Sequence, residues 1–446
     1  MTSEMACPTI AVDTIVKSAG TKRERDKAVI LAVVKRFGPV SRVAIHQLTH
    51  LRANTISLLT RELLREGWLL EAGLSDNPLG RKQVLLRLNE NLGYMVGVEF
   101  DAEFVIAVAM DLHPRILSKV REATVLSGGV DGLAQQLFRC ARQAMAEAGA
   151  GDRPLLGIGI SDPGLVDRRR GLSVISSQIG FWRDVPVAKL FEAEFGVETT
   201  VESGTRSKAV AERVLGTGRM AEDMIYVEYR AGIGAGIINS GELLTGRSGS
   251  AGEFGHTHVV TGGPPCQCGS FGCLEAVAGP SALAARFRKV VQDGGQSLGL
   301  ELTHRNLDQI TGRTVLAAAQ AGDKTCAVIV EEMGRHLGLG LANLVNLFNP
   351  ALIVLDQRLE LAGPSLLDQL LRTVRLQALS HAVEGLEIRF GKLGDEAGVL
   401  GIGLIVLERL FEIPALKPPQ FLVDPASAKA FLNAGARSEA FANTAV

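Results

Sequence analysis

The spacing of apolar residues changes along the chain, and the change divides it. Between Lys27 and Gly67 they recur every three to four positions, the period of amphipathic helices. "KAVILAVVKRF" (27–37) predicts a helix ended by Gly38-Pro39. "SRVAIHQLTH" predicts a second, with Ser41 as its N-cap. "LRANTISLLTRELLREG" places Ile56, Leu59, Leu63 and Leu64 on one face and stops at Gly67. "WLLEAG" and "QVLLRL" then flank "LSDNPLGRK" as a strand–loop–strand wing. Three helices and a hairpin in under 70 residues predict a winged helix-turn-helix over 21–90.

From Met95 the pattern is α/β. "MVGVEF" and "VIAVAM" read as tightly joined strands, and "DGLAQQLFRCARQAMAEAG" as a helix. "LLGIGISDPGLVD" is a strand entering a Gly/Pro turn, and "MIYVEYRAGIGAGIINSGELLTG" is two strands around a glycine-rich bend. "VIVEEMGRHLGLGLANLVNLFNPALIVLD" reads as a long helix feeding a buried strand. Residues 1–20 lack a periodic pattern and are expected to be flexible, and the Ala/Pro-rich tail 414–446 is expected to be variable, with no assigned fold.

Composition narrows the class. A chain of 446 residues exceeds one core, so several domains are expected. With 46% hydrophobic and 21% charged residues it has the balance of a soluble globular protein. No run of about eighteen apolar residues predicts a membrane span, and the first residues lack the basic-then-apolar pattern of a signal peptide. Six cysteines in this length fit a reducing cytoplasm better than a disulfide scaffold. The net charge of −1 is unevenly spread. Residues 21–88 hold 13 Lys+Arg against 6 Asp+Glu, a balance of +7, leaving −8 for the remainder. A basic module on an acidic body points to a polyanion partner, and on a winged helix-turn-helix that partner is expected to be double-stranded DNA.

In a helix-turn-helix the second helix enters the major groove with its first residues against base edges. That helix begins near Ala53, so Asn54, Thr55, Ser57 and Thr60 are the predicted base-facing residues. Arg52, Arg61 and Arg65 are predicted phosphate contacts, Arg81 and Lys82 lie at the wing tip after Gly80, and Ser41 joins the predicted DNA set.

The run "GEFGHTHVVTGGPPCQCGSFGCLEA" (252–276) holds three of the six cysteines. Cys266, Cys268 and Cys273 are close enough to share one ion, and three thiolates with one imidazole form a closed structural zinc set. Residue chemistry alone leaves His256 and His258 as alternatives for the fourth ligand.

Together with "GIGISDPGLVD", "GFWRDVP", "LVNLFNPALIVL" and "LGDEAGVLG", this run resembles the ROK family of sugar kinases and sugar-responsive repressors. The resemblance implies a two-lobed actin/hexokinase-like (RNase H-like) α/β body. It divides the chain into a first lobe over 91–205, a second over 206–390 with the zinc loop 252–276, and a helix at 391–413 returning to the first lobe. It assigns zinc to His256, Cys266, Cys268 and Cys273, and sugar hydroxyls to Glu253, His256 and Glu275. An N-terminal winged helix marks the repressor branch, for which a homodimer or dimer of dimers is expected.

The kinases of that family carry an Asn-Asp pair after Val-Glu, the Asp acting as general base. Here the sequence is Val201-Glu202-Ser203-Gly204, with no side chain at the base position. The first phosphate loop is replaced by Glu99-Phe100-Asp101-Ala102-Glu103, a Gly-Thr start by Arg230-Ala231, and a Gly-Gly by Asp356-Gln357. Asp162, Asp167 and Asp184 lie near loop motifs but read as turn residues. The expected protein is a transcriptional repressor with a catalytically inactive, sugar-sensing body that binds no ATP. An active hexose kinase and a zinc-stabilised DNA-binding scaffold without effector are the alternatives. His50 and Arg52 stand where the family turn has Gly and Ser, so Asn54 is a candidate cap that would shift the recognition helix by one residue.

Overall fold

A computed structural model describes residues 21–75, 82–219 and 221–411. Residues 1–20, Arg81 and the tail 414–446 lie outside them. The first helix starts earlier than the apolar pattern suggests, at Lys22, because Thr21 and Glu24 form a capping box. It is followed by helices Arg42–Thr49 and Ala53–Arg65 and by paired strands Leu69–Leu74 and Val84–Leu88. A short strand, Val40–Ser41, pairs with Leu85 and Leu86 and closes a three-stranded sheet. This is the winged helix-turn-helix.

The body contains two five-stranded sheets with one topology. In the first lobe the strand order is Thr199–Ser203, Leu155–Asp162, Tyr94–Phe100, Phe104–Asp111, Ile116–Ala123. In the second it is Glu387–Phe390, Leu352–Leu355, Met224–Tyr229, Ile233–Asn239, Glu242–Leu243. In each lobe the first three strands of the chain form an antiparallel meander, and two later strands add parallel beside the first. Buried runs such as "MVGVEF" and "LIVL" suit central strands covered on both faces.

Two helices join the parts. Gly204–Val214 packs on Ala397–Leu410, and they approach closely because Gly401 has no side chain: a Cβ there would lie 1.7 Å from the Ser207 carbonyl oxygen. The second helix then reaches the winged module. Val399, Leu400, Leu407 and Phe411 share one apolar core with Ile30, Val34, Trp68 and Leu86. Trp68 and Phe411 meet edge-to-face at 6.2 Å, and the Lys35 ammonium reaches the Leu407 carbonyl at 3.5 Å. No helix among the described residues is long and apolar enough to cross a membrane.

Candidate functional site: a cleft between the lobes and a helix for DNA

A cavity of ≈ 310 Å³ opens between the two sheets. On one side it is bounded by the loop that carries the cysteines. Gly272 there has φ +68°, and a Cβ would lie 1.9 Å from the Val260 oxygen, so only glycine lets the loop close on itself. The closure brings one ligand atom from each of His256, Cys266, Cys268 and Cys273 within 4.8 Å of the others. Tetrahedral zinc, at ~2.3 Å from sulfur and ~2.0 Å from nitrogen, sets S···S edges of about 3.8 Å and S···N edges of about 3.5 Å. The Cys268 and Cys273 sulfurs are 3.7 Å apart, and Cys266 Sγ lies 3.6 Å from His256 Nδ1. The four residues therefore fit a tetrahedral ion, and His256, not His258, completes the set. His258 instead forms a backbone bridge with Cys273.

With Nδ1 facing the sulfurs, Nε2 of His256 is left for the cleft, where Glu253 and Glu275 also stand. Burial pushes the Glu253 carboxyl above its ordinary range. Glu275 sits on the short helix Leu274–Ala278 directly after Cys273, and one of its oxygens accepts from the Ile233 amide at 2.9 Å. The loop is also tied to the first lobe. Arg206 donates to the carbonyls of Gly249 and Ala251 at 2.7 and 3.1 Å while pairing with Glu202, itself paired with Arg168. The sequence offered only helical spacing as a signal for this tether.

The opposite side of the cleft is charged and internally paired. Glu99 and Glu228 are the penultimate residues of the first strand in the first and second lobe, respectively. Both bind Lys208, at 2.9 and 2.6 Å, and Thr205 donates to Glu228. Burial alone would weaken the ammonium, but the two carboxylates outweigh it and raise the Lys208 pKa. Glu99 also accepts from the Val399 amide at 3.1 Å, so it caps the helix leading to the winged module. Arg230 donates to Asp395 at 2.9 Å and lies 3.6 Å from Asp356, 3.8 Å from Asp101 and 3.9 Å from Glu228. Burial raises the Asp101 carboxyl. Lys208 was not foreseen from sequence, and Arg230 was read only as a missing Gly-Thr.

Gly204 begins the helix after strand Thr199–Ser203 and lines the cavity. Asp162 is nearby but turned away. Its carboxylate accepts from the Gly164 amide at 2.8 Å and the Trp182 indole at 3.1 Å, and burial pushes it up to about 6. Asp167 accepts from the Arg169 and Arg170 amides, and Asp184 sits on a short strand at φ 52°.

The third helix, the candidate for reading DNA, begins at Ala53. Arg52 occupies the cap position without a side-chain hydrogen bond, and Asn54 does not cap. His50 takes the left-handed turn at φ 54°, held by His46 Nδ1 at 2.6 Å from the Leu51 carbonyl oxygen. Arg52, Asn54, Ser57, Arg61 and Arg65 are exposed, Thr55 is half-exposed, and Lys82 is exposed at the wing. Two expectations need correction. Thr60 is fully buried, donating to the Ile56 carbonyl and accepting from Arg42, so it faces the core and not a base. Ser41 is buried with its hydroxyl accepting from the Ala44 amide, so it serves as the helix cap. Leu58, 51% exposed beside Ser57, was missed; it is an apolar group of the kind that meets a thymine methyl.

Comparison with known proteins agrees with this architecture. The ROK family model matches residues 96–409, well over half the chain. The chain is 28% identical over 392 residues to the xylose repressor of Caldicellulosiruptor bescii, covering 88% of this chain and 98% of that one. It is 28% identical to the DNA-binding transcriptional dual regulator NagC of Escherichia coli, covering 86% and 92%. Among solved structures, a ROK family transcriptional regulator homologous to E. coli MLC has a TM-score of 0.76 at 23% identity, covering 87% and 96%. A ROK hexokinase from Thermus thermophilus gives 0.58 at 31% identity, covering 70% and 97%. This chain, with its winged helix in front of a two-lobed body, belongs to the ROK family.

Proposed function

We propose that the chain is a sugar-responsive transcriptional repressor whose body binds a sugar without phosphorylating it. The observation that carries this reading is the continuity from cleft to DNA reader. Glu99 lines the cavity and caps helix Ala397–Leu410, and about 21 Å further on that helix packs against Trp68 of the winged module. A ligand that draws the lobes together shifts this helix and so the placement of the recognition helix in an oligomer. The names of relatives, a xylose repressor and an N-acetylglucosamine repressor among them, favour the same role.

Zinc at His256, Cys266, Cys268 and Cys273 serves as a structural ion that holds Glu253, Glu275 and the free side of His256 toward sugar hydroxyls. Arg52, Asn54, Thr55, Ser57 and Arg61 on the recognition helix, with Arg81 and Lys82 on the wing, contact operator DNA as a homodimer or dimer of dimers. Gly204 supplies no base, and Arg230 with its carboxylates stands where phosphates would be held, so neither ATP binding nor turnover is expected.

The test is selection of genomic fragments by the purified protein with and without added monosaccharides. The expected result is a small set of palindromic fragments, some released by one sugar. Retention of the same fragments with every sugar would leave a DNA-binding scaffold and remove the sensing role. In the same assay, Asn54→Ala is expected to cost about 1–3 kcal/mol and relax selection at one base position.

A further inference from the structure

Resting on the sugar-site reading above, we propose that the cleft takes an uncharged sugar and rejects its phosphate ester. In this assignment Ser161 and Lys208 receive the hydroxyl that a kinase would phosphorylate. Charge makes the first half of the case. Glu99, Asp101 and Glu228 line one side of the cavity, and Glu253 and Glu275 the other. Among the described residues lining the cavity, the lysine and arginine that oppose these five carboxylates are Lys208 and Arg230, and both are already engaged by them. A phosphate brings up to two negative charges at neutral pH. Beside Lys208 it would lie against the Glu99 and Glu228 carboxylates, like charges repelling one another in a poorly solvated site. A hydroxyl meets no such repulsion.

Geometry makes the second half. At Gly204 a Cβ would lie 3.4 Å from Lys208 Nζ and 3.6 Å from Ser161 Oγ, so both groups border the space an acidic side chain would otherwise fill. Ser161 is fully buried, lines the cavity, and its hydroxyl makes no hydrogen bond to any other described residue. A buried hydroxyl without a partner calls for an explanation, and at the wall of a cleft a ligand hydroxyl supplies one. Lys208 has three N–H donors, and two carboxylates use two of them. Ser161 can accept from or donate to a sugar hydroxyl, and the third Lys208 donor can complete the pair.

The experiment is titration calorimetry on the full chain with D-glucose, D-mannose and N-acetyl-D-glucosamine. For each hexose that binds, its 6-phosphate and 6-deoxy analogue follow. The expected result is binding of at least one neutral sugar, with its 6-phosphate at least about 100-fold weaker. Ser161→Ala removes an unpaired oxygen and leaves the fold unburdened. It should weaken the parent sugar about tenfold and leave the 6-deoxy analogue unchanged. A 6-phosphate that binds as tightly as its parent, or parent binding unchanged in Ser161→Ala, overturns this inference while the sugar site stands. Binding of 6-phosphates alone overturns it equally. No heat with any sugar or sugar phosphate overturns the sugar-site reading itself.

Discussion

The two faces of the cleft are held by opposite means. The face with Glu253, His256 and Glu275 is fixed from behind by a loop whose cysteines can share one ion, so its polar atoms are left over for a ligand. The face with Lys208 and Arg230 is fixed from within, Lys208 being held by Glu99 and Glu228 and Arg230 lying within 4 Å of Asp101 and Glu228 of the same cavity. The first arrangement presents groups, and the second consumes them. Buried charges are tolerated only when paired, so a face that satisfies its own charges has little left to offer an anion. The same pairing links the lobes, because Lys208 bridges equivalent strand ends of the two sheets.

The contrast can be broken most forcefully at the ion. Stripping the metal with a chelator, or replacing Cys273 with Ser, should cost several kcal/mol, since binding energy at a structural zinc site is folding energy. Thermal denaturation with metal analysis reads this, and an unchanged melting temperature would mean that the loop stands without the ion. Next in size is the ligand face. Glu253→Gln and Glu275→Ala each remove a charged acceptor, and calorimetry should register a loss of about 1.5–3 kcal/mol in sugar affinity. Phe411→Leu should leave sugar affinity intact but shrink the sugar-driven change in operator affinity, because it loosens the contact with Trp68. The smallest effect is expected at Gly204→Asp. A Cβ meets its neighbours there at ordinary contact distances, the nearest at 3.4 Å, and for a single added charge the attraction to Lys208 offsets the repulsion from Glu99 and Glu228. Stability should change by less than about 1 kcal/mol. Phosphorylation should remain absent, because restoring a base does not reopen a phosphate site.

The elements with strong period were legible in the sequence. The recognition helix, the wing strands and the strands "MVGVEF" and "LIVL" lie where their apolar spacing placed them. The cysteine spacing located a cluster that could hold an ion, though the residue pattern alone left His256 and His258 open until the loop was folded. Thr60 was misread although a signal existed: it lies four residues after Ile56 and three before Leu63, on the buried stripe. The duplicated sheet order left no repeat in the residues, because backbone topology constrains strand order and not side-chain identity. Lys208 was invisible for a similar reason. A lysine within a helix reads as solvated surface, and only the meeting of Glu99 and Glu228 from separate sheets shows it to be buried.

The central claim is that this body holds a sugar and does nothing to it. It is tested most directly by measuring ADP release from ATP with zinc-loaded protein, in the presence of each sugar that calorimetry shows to bind. The account predicts no ADP above the background without sugar. Sustained sugar-dependent ADP release would contradict it, and would mean that another group takes the proton that Gly204 cannot.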